Sequence, residues 1–340
     1  MDIKGLGRLA CGMDYRRCGK WGLKLPPLSL GLWHNFGTGD DFKEGESLAK
    51  RAFEAGITHF DLANNYGPPA GSAEENFGKM LKKGPFSGLR DQLLVSTKAG
   101  HEMWAGPYGD WGSRKHLVAS LDQSLARMGL DYVDVFYSHQ FDPETPLEET
   151  MGALADFVRQ GKALYVGISK YPLAEAKRAV ALLKEMGAPS VVYQGRFSLL
   201  DRQVESKGIL TWLETEGMGF TAFSPLAQGL LTGKYLAGVG EGTRAERSEG
   251  FLKKEEVART QQVIRELSEL AEEAGIPLHE FALRWAMDCP GVTSLVFGAR
   301  TVSQLEGTLK TLERQPLSVD FLKEVDRICP ANQSLFSGAG

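Results

Sequence analysis

The stretch Val133-DVFYSHQFDPETPLEETMGALADFVRQGKALYVGI-Ser169 decides the fold, because it has the pattern of a strand, a helix and a second strand in succession. Its two apolar runs, Val133–Ser138 and Leu164–Ser169, are rich in β-forming residues without strict alternation, which is typical of parallel strands covered on both faces. Between them, Pro146–Gly161 carries apolar residues at the spacing of one helical stripe, which are Leu147, Met151, Leu154 and Val158. The stretch therefore predicts a strand–helix–strand unit.

The ends of this predicted helix carry recognisable signals. Thr145 and Glu148 have the spacing of a capping box, and Pro146 occupies the first helical position, where its missing N–H is harmless. Gly161 supplies a residue that tolerates the left-handed conformation in which helices commonly end. The sequence thus predicts where this helix starts and stops.

The same pattern recurs along the chain. Helical stripes also cover Glu44–Gly56 and His116–Gly129. Eight strand–helix repeats in about 270 residues predict an α/β fold, a (β/α)8 TIM barrel forming one domain over residues 1–340. The predicted strands are Leu28–Trp33, Ile57–Leu62, Leu93–Lys98, Val133–Ser138, Leu164–Ser169, Val191–Gln194, Gly219–Ser224 and Ser294–Gly298.

A doubly wound parallel sheet is the alternative architecture. It predicts a G-x-G-x-x-G turn after an early strand. The nearest match, Gly238-Val-Gly240-Glu-Gly242, lacks the third spacing and does not follow a predicted strand. The barrel is therefore favoured.

Two segments fall outside the repeats. About 70 residues follow the seventh predicted strand, against roughly 30 to 40 in the other repeats, which predicts a loop and helix insertion lying over the site. Near the start, Tyr15–Pro26 has turn signals at Cys18–Gly22 and predicts a β-hairpin that plugs the opposite barrel mouth.

Composition narrows the possible functions. The 340 residues carry a formal net charge of −4, whereas nucleic-acid binding needs a concentrated positive field. The four cysteines match neither a zinc site nor a CxxC redox pair. The chain has no apolar run of about 18 residues and no leading apolar segment of the signal-peptide kind. We therefore expect a cytoplasmic protein without a bound metal, a nucleic-acid partner or a membrane span.

Polar residues gather at the predicted strand ends, where barrel enzymes place their active sites. Asp61, Lys98 and His139 end or follow the second, third and fourth predicted strands, and Tyr66 follows Asp61 by five residues. An ammonium beside a phenol lowers the phenol's pKa, and a carboxylate keeps the ammonium charged. Together with an imidazole that orients a carbonyl, this set suits protonation of a carbonyl oxygen as hydride arrives at carbon.

Each of these residues also has a purely structural interpretation. Asp61 and Lys98 alone suit an ion pair at the barrel rim, while Tyr66 suits packing and His139 suits a hydrogen-bonded core histidine. These interpretations would have to hold independently at consecutive strand ends. The combination therefore favours a catalytic site.

The sequence resembles the aldo-keto reductases from Tyr15 to about Leu312. Within that family it is most similar to the bacterial L-glyceraldehyde 3-phosphate reductase group, which is itself similar to potassium-channel β subunits. The resemblance implies Tyr66 as proton donor, tuned by Lys98 and Asp61, with His139 positioning the substrate carbonyl. The stretches that carry it are Leu28-SLGLWHNFG, Thr58-HFDLANNYGPPAGSAEENFG, Ser96-TKAG, Ser113-RKHLVASLDQSLARMGLDYVD, Gly161-KALYVGIS and Phe223-SPLAQGLLTGKY.

The resemblance also implies NADPH as the cofactor, with hydride transfer that needs no metal. Ser169 and Gln194 would hold the nicotinamide carboxamide, and Lys234 and Arg300 would face the phosphates. The residues implied as cofactor-binding are Trp33, Asp61, Ser169, Lys170, Gln194, Ser224, Pro225, Leu226, Ala227, Gly229, Lys234, Arg244, Gly298, Arg300 and Gln304. Because no dinucleotide-binding glycine turn is present, the phosphates need side-chain cations and loop amides instead.

Three positions depart from the family pattern. Lys170 stands where relatives have Asn or Arg, and Gly307 and Thr308 stand where relatives carry Glu and Asn near the adenine. The departures at Gly307 and Thr308 imply weaker or differently arranged adenine binding.

The resemblance implies a small aldehyde as the partner, either short and polar or phosphorylated, with methylglyoxal-like compounds as alternatives. It also implies a possible homo-oligomer, since relatives form ring-like assemblies. Substrate contacts are expected from Trp33, Tyr66, Trp104 and His139. The aromatic group Trp33, Phe36, Trp104, Tyr108 and Trp111 fits either a core cluster or the walls of this pocket.

Two other functions stay open from the sequence. Lys98 could be the Schiff-base lysine of a barrel aldolase, although the neighbouring Asp61 favours the charged amine. The likeness to channel β subunits also allows a weakly catalytic, nicotinamide-sensing partner subunit.

Overall fold

The structure, a computed structural model, describes residues 12–240, 245, 252–313 and 315–335. Within them, eight parallel strands close into a barrel in the order β10-β3-β4-β5-β6-β7-β8-β9. The strands are β1 Arg16–Arg17, β2 Lys24–Leu25, β3 Leu28–Gly31, β4 His59–Asp61, β5 Leu94–Ala99, β6 Val133–Ser138, β7 Ala163–Ser169, β8 Ser190–Arg196, β9 Gly219–Phe223 and β10 Ser294–Phe297. The predicted (β/α)8 barrel is confirmed and the doubly wound alternative is wrong.

Helices surround the barrel and join its strands. They are α1 Phe42–Glu54, α2 Ser72–Lys83, α3 Arg114–Met128, α4 Leu147–Arg159, α5 Leu173–Glu185, α6 Gln203–Ser206, α7 Ile209–Glu216, α8 Lys254–Glu273, α9 Leu278–Asp288, α10 Val302–Leu309 and α11 Val319–Ile328. Their apolar stripes join the strands in one continuous core. None of the helices in the described segments combines the length and apolar character that a membrane span requires.

The predicted capping box of α4 is wrong, although its predicted end is confirmed. The helix begins at Leu147 after an N-cap at Pro146, and no side chain caps it. Instead, the Asp142 carboxylate accepts from the backbone N–H of Thr145 at 3.2 Å, which holds Thr145 in the preceding turn. At the other end Gly161 has a φ of +70°, as the sequence predicts.

The N-terminal hairpin is confirmed at the mouth opposite the strand ends. Strands β1 and β2 pair antiparallel. The hairpin turn touches the segment that leads into β9, where Lys20 N–H donates to the Gly217 carbonyl at 3.0 Å. A Cβ on Gly19 would lie 2.2 Å from that same carbonyl, so the contact needs a glycine. The barrel is thus closed at its N-terminal mouth, and the C-terminal mouth is left for the site.

The insertion after the seventh barrel strand is partly described. It begins with a 3-10 turn, Ala227–Thr232, directly after β9, and continues into α8 and α9. Residues 241–244 and 246–251 of this segment lie outside the described residues. The turn lies at the same mouth as the strand ends.

Candidate active site

A buried ion pair forms the base of the C-terminal mouth. Asp61 is the last residue of β4 and Lys98 is the penultimate residue of β5. Lys98 Nζ donates to Asp61 Oδ2 at 2.6 Å and to the Leu62 carbonyl at 2.6 Å. Asp61 Oδ1 also accepts from Ser96 Oγ at 2.8 Å and from Gln194 Nε2 at 3.0 Å. Every polar atom of this carboxylate is therefore held in place.

A chain of hydroxyls and one imidazole supports Asp61 from inside the barrel. Since Ser96 donates its hydrogen to Asp61, it must accept from His59 Nε2, which lies 2.9 Å away. His59 Nδ1 then accepts from Ser29 Oγ at 2.8 Å, and Ser29 accepts from Ser294 at 2.6 Å. Burial lowers the pKa of His59 to about 4, so its ring is neutral as this chain requires. All the hydrogens of the chain thus point towards the carboxylate.

The pair stays charged despite its burial. Burial alone raises the pKa of Asp61, but the Lys98 ammonium and the hydrogen bonds outweigh it, so this pKa lies below its usual value. Burial lowers the pKa of Lys98, and Asp61 opposes that shift. A carboxylate at 2.6 Å with a carbonyl as second acceptor favours an ammonium over a neutral amine.

Tyr66 lies beside this pair, as predicted. Lys98 Nζ is 5.0 Å from the centroid of the Tyr66 ring. The ring centroids of Trp33 and His139 are 6.4 Å and 6.1 Å from that of Tyr66. The tyrosine is only partly buried, so a ligand entering the mouth has access to it. The structure therefore brings together Asp61, Tyr66, Lys98 and His139.

The expected lowering of the phenol's pKa is wrong for this structure. Burial raises the pKa of Tyr66 well above its usual value of 10.0, and the charge of Asp61 raises it further. Removal from water is the larger of the two effects, because it disfavours the charged phenolate. The site consequently holds a neutral phenol that retains its proton.

His139 is a buried, neutral imidazole. It is 7% exposed, and its Nδ1 has no hydrogen-bond partner among the described residues. Burial lowers its pKa well below 6.5, helped by the charges of Lys170 and Lys98. A neutral imidazole carries one N–H, which it can donate to a substrate oxygen.

The residues expected to hold a nicotinamide cofactor lie around the same mouth. Ser169 and Gln194 are neighbours in the pairing of β7 with β8. Ser169 Oγ is buried without a partner among the described residues, which suits a ligand with an amide group. A cofactor carboxamide therefore fits the donors and acceptors present here.

The loop after β9 suits binding of an anion. Ser224, Ala227, Gln228 and Gly229 all have positive φ, between 47° and 100°. The N–H groups of Ala227 and Gly229 donate within the loop to the Ser224 and Leu226 carbonyls at 2.9 Å, so a cofactor phosphate would be held by the remaining N–H groups of the loop. Pro225 and Leu226 lie within the same loop.

The remaining predicted cofactor residues lie farther out at this mouth. Lys234, Arg300 and Gln304 are exposed, and the Arg300 backbone N–H donates to Gln304 Oε1 at 2.9 Å. A Cβ on Gly298 would have open space around it. Arg244 lies outside the described residues.

The predicted aromatic pocket wall is only partly assembled. Trp33 lies beside Tyr66, whereas the Trp104 ring is 5.1 Å from that of His116 on α3. Trp104 lines a surface cavity of about 580 Å³ together with Tyr108, Arg114, Lys115, Val118 and Ala119. Phe36 is 3% exposed and belongs to the core, while Trp111 is exposed. The structure thus places Trp104 against α3.

Two further residues were missed from the sequence. His101 lies three residues after Lys98, and its ring is 4.4 Å from that of His139. Asn64 lies two residues before Tyr66, is fully buried, and has both amide atoms without a partner among the described residues. Extending the search a few residues beyond each predicted strand end would have found both.

Comparison with known proteins gives a consistent picture. The model of the "Aldo/keto reductase family" matches residues 27–329. The chain is 50% identical over 319 residues to the L-glyceraldehyde 3-phosphate reductase of Escherichia coli O157:H7, covering 93% of this chain and 92% of that protein. It is 34% identical over 313 residues to an Arabidopsis thaliana protein named "Probable voltage-gated potassium channel subunit beta", covering 90% and 93%.

Proposed function

The chain belongs to the aldo/keto reductase family, and we propose that it reduces short polar or phosphorylated aldehydes to alcohols with NADPH, with Tyr66 as the proton donor. Membership of the family makes it a nicotinamide-dependent oxidoreductase. The observation that carries the proposal is the convergence of Asp61, Lys98, Tyr66 and His139 at one barrel mouth.

A nicotinamide cofactor, when bound, supplies the hydride. Ser169 and Gln194 would hold its carboxamide, and the backbone N–H groups of the 224–229 loop that are not bonded within the loop would hold a phosphate. Lys234 and Arg300 are the cations we assign to the remaining phosphates, because both are exposed beside that loop or beyond β10. The proposed preference for NADPH over NADH rests on this assignment.

The protein's own residues then handle the aldehyde oxygen. The neutral His139 donates a hydrogen bond to that oxygen and orients it towards Tyr66. Negative charge builds on the oxygen as carbon is reduced, and the phenol proton transfers to it. The phenolate left on Tyr66 is stabilised by the Lys98 ammonium, 5.0 Å from the ring, until solvent returns the proton.

The raised pKa of Tyr66 fits this role. A phenol that holds its proton in the free site stays neutral across the physiological pH range. It therefore gives up the proton only to an acceptor whose basicity rises during the reaction. Asp61 contributes by fixing Lys98 below the ring.

The substrate class rests on the relatives. The relatives at about 50% identity are named for reduction of L-glyceraldehyde 3-phosphate, a three-carbon phosphorylated aldehyde. We therefore place short aldehydes with hydroxyl or phosphate groups first, and methylglyoxal-like compounds second.

The test is the Tyr66→Phe variant, which removes the hydroxyl and keeps the ring. We expect its turnover with glyceraldehyde 3-phosphate to fall about 10²–10⁴-fold, because the proton donor is lost. NADPH binding, followed by cofactor fluorescence, is expected to persist. Tyr132→Phe is the matched control, since Tyr132 immediately precedes β6, at the opposite end of that strand from His139. Normal turnover by Tyr66→Phe would refute the assignment.

The same assay addresses the two alternatives. A nicotinamide-sensing subunit, which the 34% identity to a channel-subunit relative favours, would bind NADPH tightly and turn over none of a panel of aldehydes. A Schiff-base aldolase would give a borohydride-trapped adduct on Lys98. The hydrogen bonds from Lys98 to Asp61 and to the Leu62 carbonyl disfavour the neutral amine that such an adduct needs.

A further inference from the structure

A lysine–histidine bridge crosses the mouth above His139. Lys170 directly follows β7, and its φ of +58° departs from the extended backbone of the strand. Its Nζ lies 2.9 Å from Nε2 of His101, which belongs to the loop after β5. Because β6 lies between β5 and β7 in the barrel, the bridge spans the end of β6, which His139 directly follows.

The hydrogen bond fixes how the bridge is protonated. An ammonium has only donors, so His101 must accept through Nε2 and carry its own hydrogen on Nδ1. Burial lowers the pKa of His101 to about 4, assisted by the charges of Lys170 and Lys98, which keeps the ring neutral. The positive charge of the bridge therefore resides on Lys170.

Two further cations act on this ammonium. After burial, the strongest effects on Lys170 come from the like charges of Arg196 and Lys98. Asp61 compensates Lys98 directly, and Arg196 lies 3.7 Å from Asp201. A negative group arriving at Lys170 would gain a charge-assisted hydrogen bond from its ammonium.

The bridge is also accessible and close to the reacting position. Lys170 and His101 are both partly exposed. Ring centroids of His101 and His139 are 4.4 Å apart, and Lys170 Nζ is a further 2.9 Å from the His101 ring. The three side chains thus form a line from His139 through His101 to Lys170. A short aldehyde whose oxygen contacts Tyr66 and His139 would extend its far end along this line.

We propose that Lys170, oriented by His101, binds the phosphate at the far end of a phosphorylated aldehyde and so selects the substrate. This inference rests on the proposed reductase function and deepens it. It also moves Lys170 from the cofactor set, where the family resemblance places it, to the substrate side.

The test compares two substrates within each protein. We would measure kcat/KM for racemic glyceraldehyde 3-phosphate and for racemic glyceraldehyde, and take their ratio. Any effect of Lys170 on cofactor binding changes both values alike and cancels in the ratio. For Lys170→Met we expect the ratio to fall by about tenfold or more, the size of a charge-assisted hydrogen bond.

Three further variants sharpen the comparison. Lys170→Arg keeps the cation and is expected to retain most of the ratio. His101→Phe keeps a ring but removes the acceptor that orients Lys170, so the ratio falls by a smaller factor. Lys177→Met makes the same charge change at an exposed position on α5 and leaves the ratio unchanged.

A second measurement covers the case in which Lys170→Met does not fold. Inorganic phosphate is expected to inhibit glyceraldehyde reduction by the wild-type protein in competition with the aldehyde. An unchanged ratio in folded Lys170→Met would overturn the inference, and so would phosphate that competes only with the cofactor or does not inhibit. If the wild-type protein reduced neither aldehyde, the proposed function itself would fail, so the two failures are distinguishable.

Discussion

Replacing Asp61 by Asn leaves the Lys98 ammonium buried without its counter-charge. The side chains of Lys98 and Asp61 are 0% and 2% exposed, so water cannot replace the lost carboxylate. Removing one partner of such a pair costs about 3–5 kcal/mol of unfolding free energy. The amide nitrogen of Asn makes this worse where it faces the ammonium, because both groups are donors.

An independent argument gives the same magnitude. In the variant Lys98 can escape the penalty by losing its proton, and this sets a ceiling on the cost. With a solvated lysine pKa of about 10.4 and about 1.36 kcal/mol per pH unit, the ceiling at pH 7 is roughly 4–5 kcal/mol. At pH 9 the ceiling is about 2 kcal/mol.

The sign of the pH effect follows from proton counting. In the variant the folded state holds Lys98 with a lowered pKa, so the unfolded chain binds more protons between the two pKa values. The stability of Asp61→Asn relative to wild type therefore recovers as pH rises from 7 to 9. Urea unfolding at several pH values measures this directly.

Two further variants test the reasoning. Asp156→Asn is the matched control, because Asp156 is partly exposed between Arg114 and Arg159, and an exposed pair is worth about 1 kcal/mol or less. The double variant Asp61→Asn/Lys98→Met removes both charges and is expected to be more stable than Asp61→Asn alone. The reasoning would be refuted if Asp61→Asn lost no more unfolding free energy than Asp156→Asn, or if its loss did not change with pH.

Two other predictions concern the hairpin and the mouth. Gly19→Ala is expected to lower the urea midpoint of unfolding far more than Gly88→Ala. Both residues have positive φ, but only at Gly19 would the new Cβ lie 2.2 Å from backbone atoms. Equal midpoints for the two variants would contradict this close contact. The kcat/KM ratio of phosphorylated to unphosphorylated glyceraldehyde is expected to fall as pH rises through about 8. The reason is that burial, with the charges of Arg196 and Lys98, lowers the pKa of Lys170 to about 8. A ratio that stayed constant from pH 7 to 9 would contradict this prediction.

The barrel was predictable because its signals are local. The alternation of buried strands with amphipathic helices is written in each repeat, as in Val133–Ser169, and the closing order of the strands follows from the fold class. The convergence of Asp61, Lys98 and His139 was predictable for the same reason, since the carboxyl ends of parallel strands share one mouth. Strand ends differed from prediction by a few residues, as at β3, which stops at Gly31.

Features that depend on contacts between distant segments were not predictable. The start of α4 is determined by the turn around Asp142, which offers the backbone an alternative to the predicted cap. Trp104 lies near His116 on α3 because its loop folds over that helix. The bridge between His101 and Lys170 joins residues 69 apart in the chain. Sequence periodicity contains none of this information.

The electrostatics of the site show most clearly why residue types alone are insufficient. Lysine beside tyrosine predicts an acidified phenol, yet the pKa of Tyr66 is raised, first because the phenol is removed from water and second because the Asp61 carboxylate is close to it. Asp61 can stay charged in the barrel interior chiefly because the Lys98 ammonium lies 2.6 Å from it, and the hydrogen of Ser96 is also directed towards it. In the mechanism we propose, the phenol gives up its proton in response to charge that develops on the substrate, and the Lys98 ammonium then stabilises the phenolate.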